Sequence, residues 1–450
     1  MVTTVKKKIL ATALGASVVI GATAAIAQPA PMPLMAPQSA GLPTAGAVSA
    51  VYDKYKIKPL WFRNGTPTVA ATQLVQILQR SPVDGLTSGP QLAAQIQAAM
   101  QATAGNPAAV AQAEQLMSSA WVMYVQTIKR PTNGMIYAYD ILKPHGTRAD
   151  QILLTAAAAP SLESHVSALA AVNPIYAGIR DAEWARMQAS NSLAPDPRVL
   201  ANLDRVRSIP ATGRYILVDS ASQRMFMYDN GALVDSMKVV VGMPTMPTPL
   251  IASIMYYVTF NPQWNAPVHL VKGPIATKTL AGGMKYFQDH MGYEVMADWS
   301  PNAAVVPAES IDWKAVSTGK IPPPRVRQKP GKENFMGVLK FTFPNSQDIY
   351  LHDTPAKNKF AEADRADSNG CVRVEDAHRF ARWLLGREPV APGSDPEIPV
   401  QMPRGVPIYL TYITAQPSNG QLTYLRDVYG WDRPGAQIAS SYVSPVAAAR

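Results

Sequence analysis

The sequence predicts a multidomain protein: a mostly α-helical region over residues 51–210, then a mainly β domain over 211–430 that carries a long insertion. Three observations predict it. The 450 residues exceed what one hydrophobic core normally occupies, and 47% of them are apolar, enough for two or three packed units. Before Pro210 apolar residues recur at helical spacing in Ala- and Gln-rich segments. After it they gather into short β-branched and aromatic runs bounded by turn residues.

Lys6-Lys7-Lys8, the apolar run Ile9 to Ile26 and the small-residue exit Ala25-Ile26-Ala27 have the layout of a secretory signal over residues 1–27, with cleavage after Ala27. The alternative is an uncleaved membrane anchor, since the run approaches spanning length. Its Gly and Ala content and the lack of a following basic cluster favour the signal, so the expectation is an exported protein, free or resting on the wall or membrane. Residues 28–50 are rich in Pro, Ala, Met and Gly with almost no charge, and read as a flexible linker.

Within 51–210, a turn at Asn64-Gly65 precedes an amphipathic helix at about 70–79. Two helices follow between 91 and 129, split by Gly105-Asn106-Pro107, with further helices near 147–157, 160–170, 181–188 and 200–206. In the β domain, strands are expected at 214–219, 224–229 and 232–242, with a hairpin at Asp229-Asn230-Gly231. Others are expected at 253–259, 335–343, 349–351, 406–413 and 422–425, and a helix at 374–385. The insertion, about 265–328, holds Trp264 at its edge, Trp299, Trp313 and Ile321-Pro322-Pro323-Pro324, and reads as a capping subdomain over a groove. Residues 431–450 read as a C-terminal tail.

The formal charge of +10, from 41 basic and 31 acidic residues, would suit an anionic partner. The basic residues are scattered, however, and export argues against nucleic acid. The six His are dispersed and the single Cys has no Cys-x-x-Cys partner, so neither a metal nor another cofactor is expected.

That lone cysteine, Cys371, lies nineteen positions after His352, in Ser368-Asn369-Gly370-Cys371-Val372-Arg373-Val374. Without a second thiol it forms no internal disulfide, so it is either a buried small hydrophobe or a working nucleophile. A nearby imidazole would serve as its base, Gly370 would permit a tight turn that frees N–H groups for an oxyanion, and Arg373 would favour the thiolate or hold a carboxylate.

The span Ile349-Tyr-Leu-His-Asp-Thr-Pro355, with Phe360, Arg365-Ala366 and Ser368 to Val374, resembles the active-site signature of the YkuD-type L,D-transpeptidase catalytic domain. Tyr215 to Asp219, Val239 to Gly242, Phe260 to Pro267 and Leu425 to Gly430 resemble the large periplasmic subgroup of that family, and residues 51–90 its N-terminal scaffold piece. The resemblance implies a scaffold region at 51–210, with wall binding as a further use, before a catalytic domain at 211–430.

It implies Cys371 as acylated nucleophile, His352 as general base, the Asp353 carbonyl as the group orienting His352, and the N–H groups of Gly370 and Cys371 as oxyanion donors. Arg373, Asn369, Ser368, Tyr350 and Trp264 become substrate-binding positions. Asn369 stands where many relatives have His, so no imidazole acts there. The implied partners are peptidoglycan tetrapeptide stems as donor and acceptor, joined by 3,3 cross-links in a periplasm with release of D-alanine. Two alternatives stay open: a same-fold enzyme that attaches or releases a protein on peptidoglycan, and a noncatalytic wall-binding scaffold in which Cys371 is structural.

Overall fold

The computed structural model describes residues 45–145, 148–300, 302–433, 435, 436 and 438. The expected signal segment, the linker up to residue 44 and most of the expected tail lie outside them.

The first half is helical: α1 (Ala45–Tyr55), α2 (Val69–Arg80), α3 (Gly89–Gln101), α4 (Pro107–Ile128), α5 (Ala149–Ala158), α6 (Leu162–Ala171), α7 (Pro174–Ser190) and α8 (Pro197–Val206). Their starts follow from local chemistry. Thr68, Asn106, Ser161, Asn173 and Asp196 each accept a hydrogen bond from a first-turn N–H, and proline opens α4, α7 and α8. Two short strands, β1 (Phe62–Arg63) and β2 (Thr66–Pro67), form a hairpin before α2.

Helices α1 to α6 share a core in which Trp61 and Trp121 meet edge to face, 6.2 Å between ring centroids. Each large side chain fully buried there contributes about 1.5–3 kcal/mol. Glu114 on α4 ties in the segment before β1, accepting from the Leu60 N–H at 2.6 Å, the Trp61 N–H at 3.0 Å and the Tyr52 hydroxyl at 2.8 Å.

The β region begins earlier than its own run of sequence, with β3 (Ile136–Tyr137), and continues through β4 (Tyr215–Asp219), β5 (Arg224–Asp229), β6 (Ala232–Gly242) and β7 (Ile251–Phe260). The insertion supplies β8 (Trp264–Asn265), α9 (Val268–Leu270), α10 (Ala276–Met284), β9 (Tyr293–Met296), β10 (Val305–Val306), α11 (Trp313–Thr318) and β11 (Arg325–Gln328). The remainder is β12 (Leu339–Thr342), β13 (Leu351–His352), β14 (Ala366–Ser368), β15 (Val372–Val374), α12 (Ala377–Leu385), β16 (Ile398–Thr411) and a hairpin of β17 (Ala415–Ser418) with β18 (Gln421–Tyr424).

The main sheet runs β12-β13-β15-β6-β5-β4-β16-β7-β3, and β12 also pairs with β7, so the sheet closes on itself. Closure removes the open edges that would otherwise template aggregation. Ile216, Val218, Met225, Val239, Phe341, Leu351 and Val372 fill the inside together with Phe380 and Leu384 of α12. Every residue of β4 is buried because its other face, Tyr215 and Leu217, packs against Tyr176, Ile179, Leu203 and Val206 of α7 and α8. That two-sided burial is why Tyr215 to Val218 reads as a continuous apolar run. The insertion folds as its own four-stranded sheet, β10-β9-β11-β8, over a separate core containing Phe287, Val295, Trp313 and Val326.

Several expectations need correction. Residues 45–50 of the expected linker are helical, since Val48 packs into the α1 to α6 core. The division at 210 is crossed in both directions: β3 pairs in parallel with β7, and α7 and α8 bury their apolar faces on the sheet. Val372 to Val374 is a strand, and helix begins only at Ala377, capped by Asp376, whose carboxylate accepts from the Arg379 N–H. The tail is anchored at its start: Trp431 is buried, and Asp432 forms an ion pair with Arg205, itself 1% exposed. Removing one partner of such a pair costs about 3–5 kcal/mol, because the other is left charged and buried.

Candidate active site

The site is built on the parallel pair β13 and β15. Leu351 is register partner to Val372 and His352 to Arg373, while the Val372 N–H donates to the Tyr350 carbonyl at 3.1 Å. Strand alternation sends Leu351, Val372 and Val374 into the core. The same alternation leaves Tyr350, His352, Cys371 and Arg373 on the opposite face, where all four line one cavity of about 770 Å³.

Its floor comes from this strand pair and from the 342–350 segment, including Asp348, whose carbonyl faces Cys371 Sγ at 3.8 Å. Asn345 shapes that segment, donating to the Phe343 and Ile349 carbonyls and accepting from the Gln347 and Ile349 N–H groups. Its roof is the capping subdomain: Trp264, Val268, Leu270, Tyr286 and Trp299, with Trp264 tilted against Phe335 at 4.8 Å.

His352 is 6% exposed, and its Nδ1 lies 2.6 Å from the Asp353 carbonyl oxygen. A carbonyl can only accept, so Nδ1 carries the proton and Nε2 is the basic nitrogen. The Asp353 carboxylate is engaged elsewhere, by Lys357 at 2.6 Å and by the Val338 N–H at 3.1 Å, so its side chain holds the loop while its carbonyl orients the ring.

Burial, and secondly the Arg373 guanidinium, push the imidazole pKa down to about 3. Burial pushes the Cys371 thiol up to about 11, against the opposing pull of hydrogen bonds with Tyr350 and the charge of Arg373. Both groups are therefore neutral at rest, a thiol and an imidazole that line one cavity. Burial also lowers the pKa of Arg373, with the charge of Asp367 opposing it.

Gly370 has φ +108°, and a Cβ there would meet Ile349 Cδ1 at 3.2 Å, so the turn before Cys371 needs glycine. Its N–H, expected to face an oxyanion, instead donates to Ser368 Oγ at 3.2 Å. The Ser368 hydroxyl in turn donates to the Cys371 carbonyl at 2.6 Å. Ser368 thus lines the cavity but spends its oxygen shaping the turn, and that closed exchange is why the Gly370 N–H points inward. Among the described residues, the Cys371 N–H meets no acceptor. Asn369, Tyr350 and Trp264, expected to bind substrate, all line the cavity.

Sequence reasoning missed Thr248 and gave Gly242 no role of its own. Thr248 Oγ1 accepts from the Gly242 N–H at 2.9 Å and donates to the Gly370 carbonyl at 2.8 Å. The available signal was Pro247-Thr248-Pro249 six residues beyond a strand-ending glycine.

The chain sets a helical region before a closed β domain whose cavity lies under an inserted cap. Residues 213–400 match the family model of the L,D-transpeptidase catalytic domain, YkuD, and residues 46–182 match the Scaffold domain. The chain thus carries a YkuD L,D-transpeptidase catalytic domain joined to a Scaffold domain.

A Haemophilus influenzae protein named "Putative L,D-transpeptidase" is 28% identical over 396 residues, covering 86% of this chain and 78% of that one. Two solved structures are more remote. "Structure of the Ldtfm-avibactam carbamoyl enzyme" is 13% identical with a TM-score of 0.22, covering 44% of this chain and 48% of that one. "L,D-transpeptidase from Mycobacterium smegmatis" is 11% identical with a TM-score of 0.23, covering 45% and 60%. The matches thus span about half to three fifths of those two chains.

Proposed function

We propose that the protein is an exported, periplasmic peptidoglycan L,D-transpeptidase that forms 3,3 cross-links through a thioester on Cys371. The observation that carries this reading is the single strand-pair face that turns Tyr350, His352, Cys371 and Arg373 into one capped cavity.

Nε2 of His352 takes the Cys371 proton as sulfur attacks the carbonyl carbon of the stem's third residue. The resulting oxyanion accepts from the Cys371 N–H, which has no competing acceptor among the described residues. Collapse breaks the bond to D-alanine, whose amine leaves with the proton held by His352. The side-chain amine of a second stem's third residue then attacks the thioester, His352 takes its proton, and the thiol returns. The donor amide supplies the acyl group, so the scheme uses neither nucleotide nor metal. Arg373 favours the thiolate, and the aromatic roof excludes water that would hydrolyse the thioester.

The test is incubation of the protein with disaccharide tetrapeptide muropeptides, read by intact-protein and product mass spectrometry beside Cys371→Ala and His352→Ala. A Cys371-dependent adduct, free D-alanine and a 3,3-linked dimer are expected. A folded protein that forms no adduct and releases no D-alanine overturns the proposal. An acyl group passed to or released from a protein amine, without a dimer, would replace cross-linking by protein attachment or release.

A further inference from the structure

We infer that Thr248, braced by Tyr429, is a positioning residue that locks the Gly370–Cys371 peptide so that the Cys371 N–H is held toward the oxyanion. This rests on the L,D-transpeptidase reading for its substrate, though not for its geometry.

The carbonyl of Gly370 and the N–H of Cys371 belong to one trans peptide and point to opposite sides of it. Whatever fixes the carbonyl therefore aims the N–H. This peptide turns by ψ of Gly370 against φ of Cys371, and the glycine leaves its side of that rotation with few steric limits. An anchor on the carbonyl from outside the turn removes the freedom that remains.

Thr248 supplies it. The Gly242 N–H can only donate, so Thr248 Oγ1 accepts there, at 2.9 Å, and its own proton is directed to the Gly370 carbonyl at 2.8 Å. Thr248 is 1% exposed, so water does not compete for either bond. Gly242 must be glycine for the approach: a Cβ would lie 2.2 Å from the Met246 carbonyl oxygen and 2.5 Å from the Thr248 nitrogen.

Tyr429 braces the other side. Its hydroxyl donates to the Gly242 carbonyl at 2.7 Å and receives the Thr248 N–H at 3.4 Å, while its ring stacks on Tyr412 at 4.9 Å. Burial pushes the pKa of this phenol up to about 12, so it remains a donor throughout the working range. A strand end and the segment following the last hairpin thus hold a proline-flanked threonine against the carbonyl that precedes Cys371.

The experiment compares two reactions of Cys371 in the full chain, with Cys371→Ala as background. Alkylation by iodoacetamide needs the thiolate and no oxyanion donor. Acylation by p-nitrophenyl acetate or by the tetrapeptide muropeptide needs both. Thr248→Val, which removes the hydroxyl at nearly constant volume, should slow acylation at saturation by about 30-fold or more, as loss of an aimed oxyanion donor does. KM and alkylation rate should change little, and the melting temperature should fall only modestly, as the Gly242 N–H and the Gly370 carbonyl lose a buried partner. Thr248→Ser should restore acylation, and Tyr429→Phe should give a smaller loss of the same kind.

Acylation unchanged in Thr248→Val overturns the inference. So does a parallel loss of acylation, alkylation and melting temperature in both Thr248→Val and Tyr429→Phe, which would make the pair merely structural. If the native protein reacts with the ester but never with the muropeptide, the substrate reading fails, while the ester-to-alkylation ratio still judges the lock.

Discussion

His352 and Arg373 are register partners across the parallel β13 and β15 strands, so an imidazole and a guanidinium share one face of the sheet beside Cys371. The positive charge acts on both members of the reacting pair in the same sense, disfavouring the imidazolium and favouring the thiolate. Arg373 therefore stabilises the negative partner without drawing the proton onto His352 in advance.

The measurable consequence is the pH dependence of thiol alkylation. With the thiol pushed up to about 11, the thiolate fraction should rise about tenfold per pH unit between pH 7 and 10. Arg373→Ala removes an influence that lowers this pKa, so its alkylation at pH 9 should be slower, and Arg373→Lys should lie between. A plateau below pH 8 in the native protein would mean a preformed thiolate–imidazolium pair and would contradict this picture.

Stability carries a second signature of the same burial. The folded-state pKa of His352, about 3, lies below its ordinary value of 6.5, so between those values the unfolded chain binds more protons at this position. Stability from this group is thus fully present above pH 6.5 and is lost as pH falls toward 3. The loss at pH 5 is about 2 kcal/mol. Denaturant melts of the native protein and of His352→Gln at pH 7 and pH 5 should show the native protein losing more by roughly that amount. Equal losses would count against a buried neutral imidazole.

The parts of this site that could be read from the sequence are those whose chemistry is local. Cys371 and His352 stand out because a thiol, an imidazole and a glycine turn have recognisable reactivity. The Asp229-Asn230-Gly231 hairpin stands out because its turn residues permit positive φ. Thr248 does not, since its role is one hydrogen bond to a carbonyl 122 residues away. The two residues of β3 are too few for any periodicity, and only their pairing with β7 reveals them. Asp432 reads as part of a polar tail until Arg205, more than two hundred residues earlier, is found beside it. The inward N–H of Gly370 follows from the rotamer of Ser368, which spacing does not encode.

The capping subdomain offers the sharpest separation of thiol chemistry from substrate handling, because register permits its removal. Asn265 on β8 faces Arg327 on β11, and Trp264 faces Gln328, so the two strands that enter and leave the cap are already antiparallel neighbours. Replacing residues 266–326 by Asn-Gly would join Asn265 to Arg327 through a two-residue hairpin turn, a connection suited to antiparallel strands. The excised part takes its own core with it, including Phe287, Val295, Trp313 and Val326, and leaves the closed main sheet with its interior intact. Trp264 and Phe335 remain, whereas Leu270, Tyr286 and Trp299 no longer roof the cavity. The shortened protein should melt cooperatively and alkylate at Cys371 at least as fast as the native one, since the thiol gains access. Acylation by the muropeptide should fall by about tenfold or more, because the groove that orients the stem has lost one wall. Mass spectrometry of both adducts decides it: acylation preserved alongside faster alkylation would show that the cap does not hold the stem.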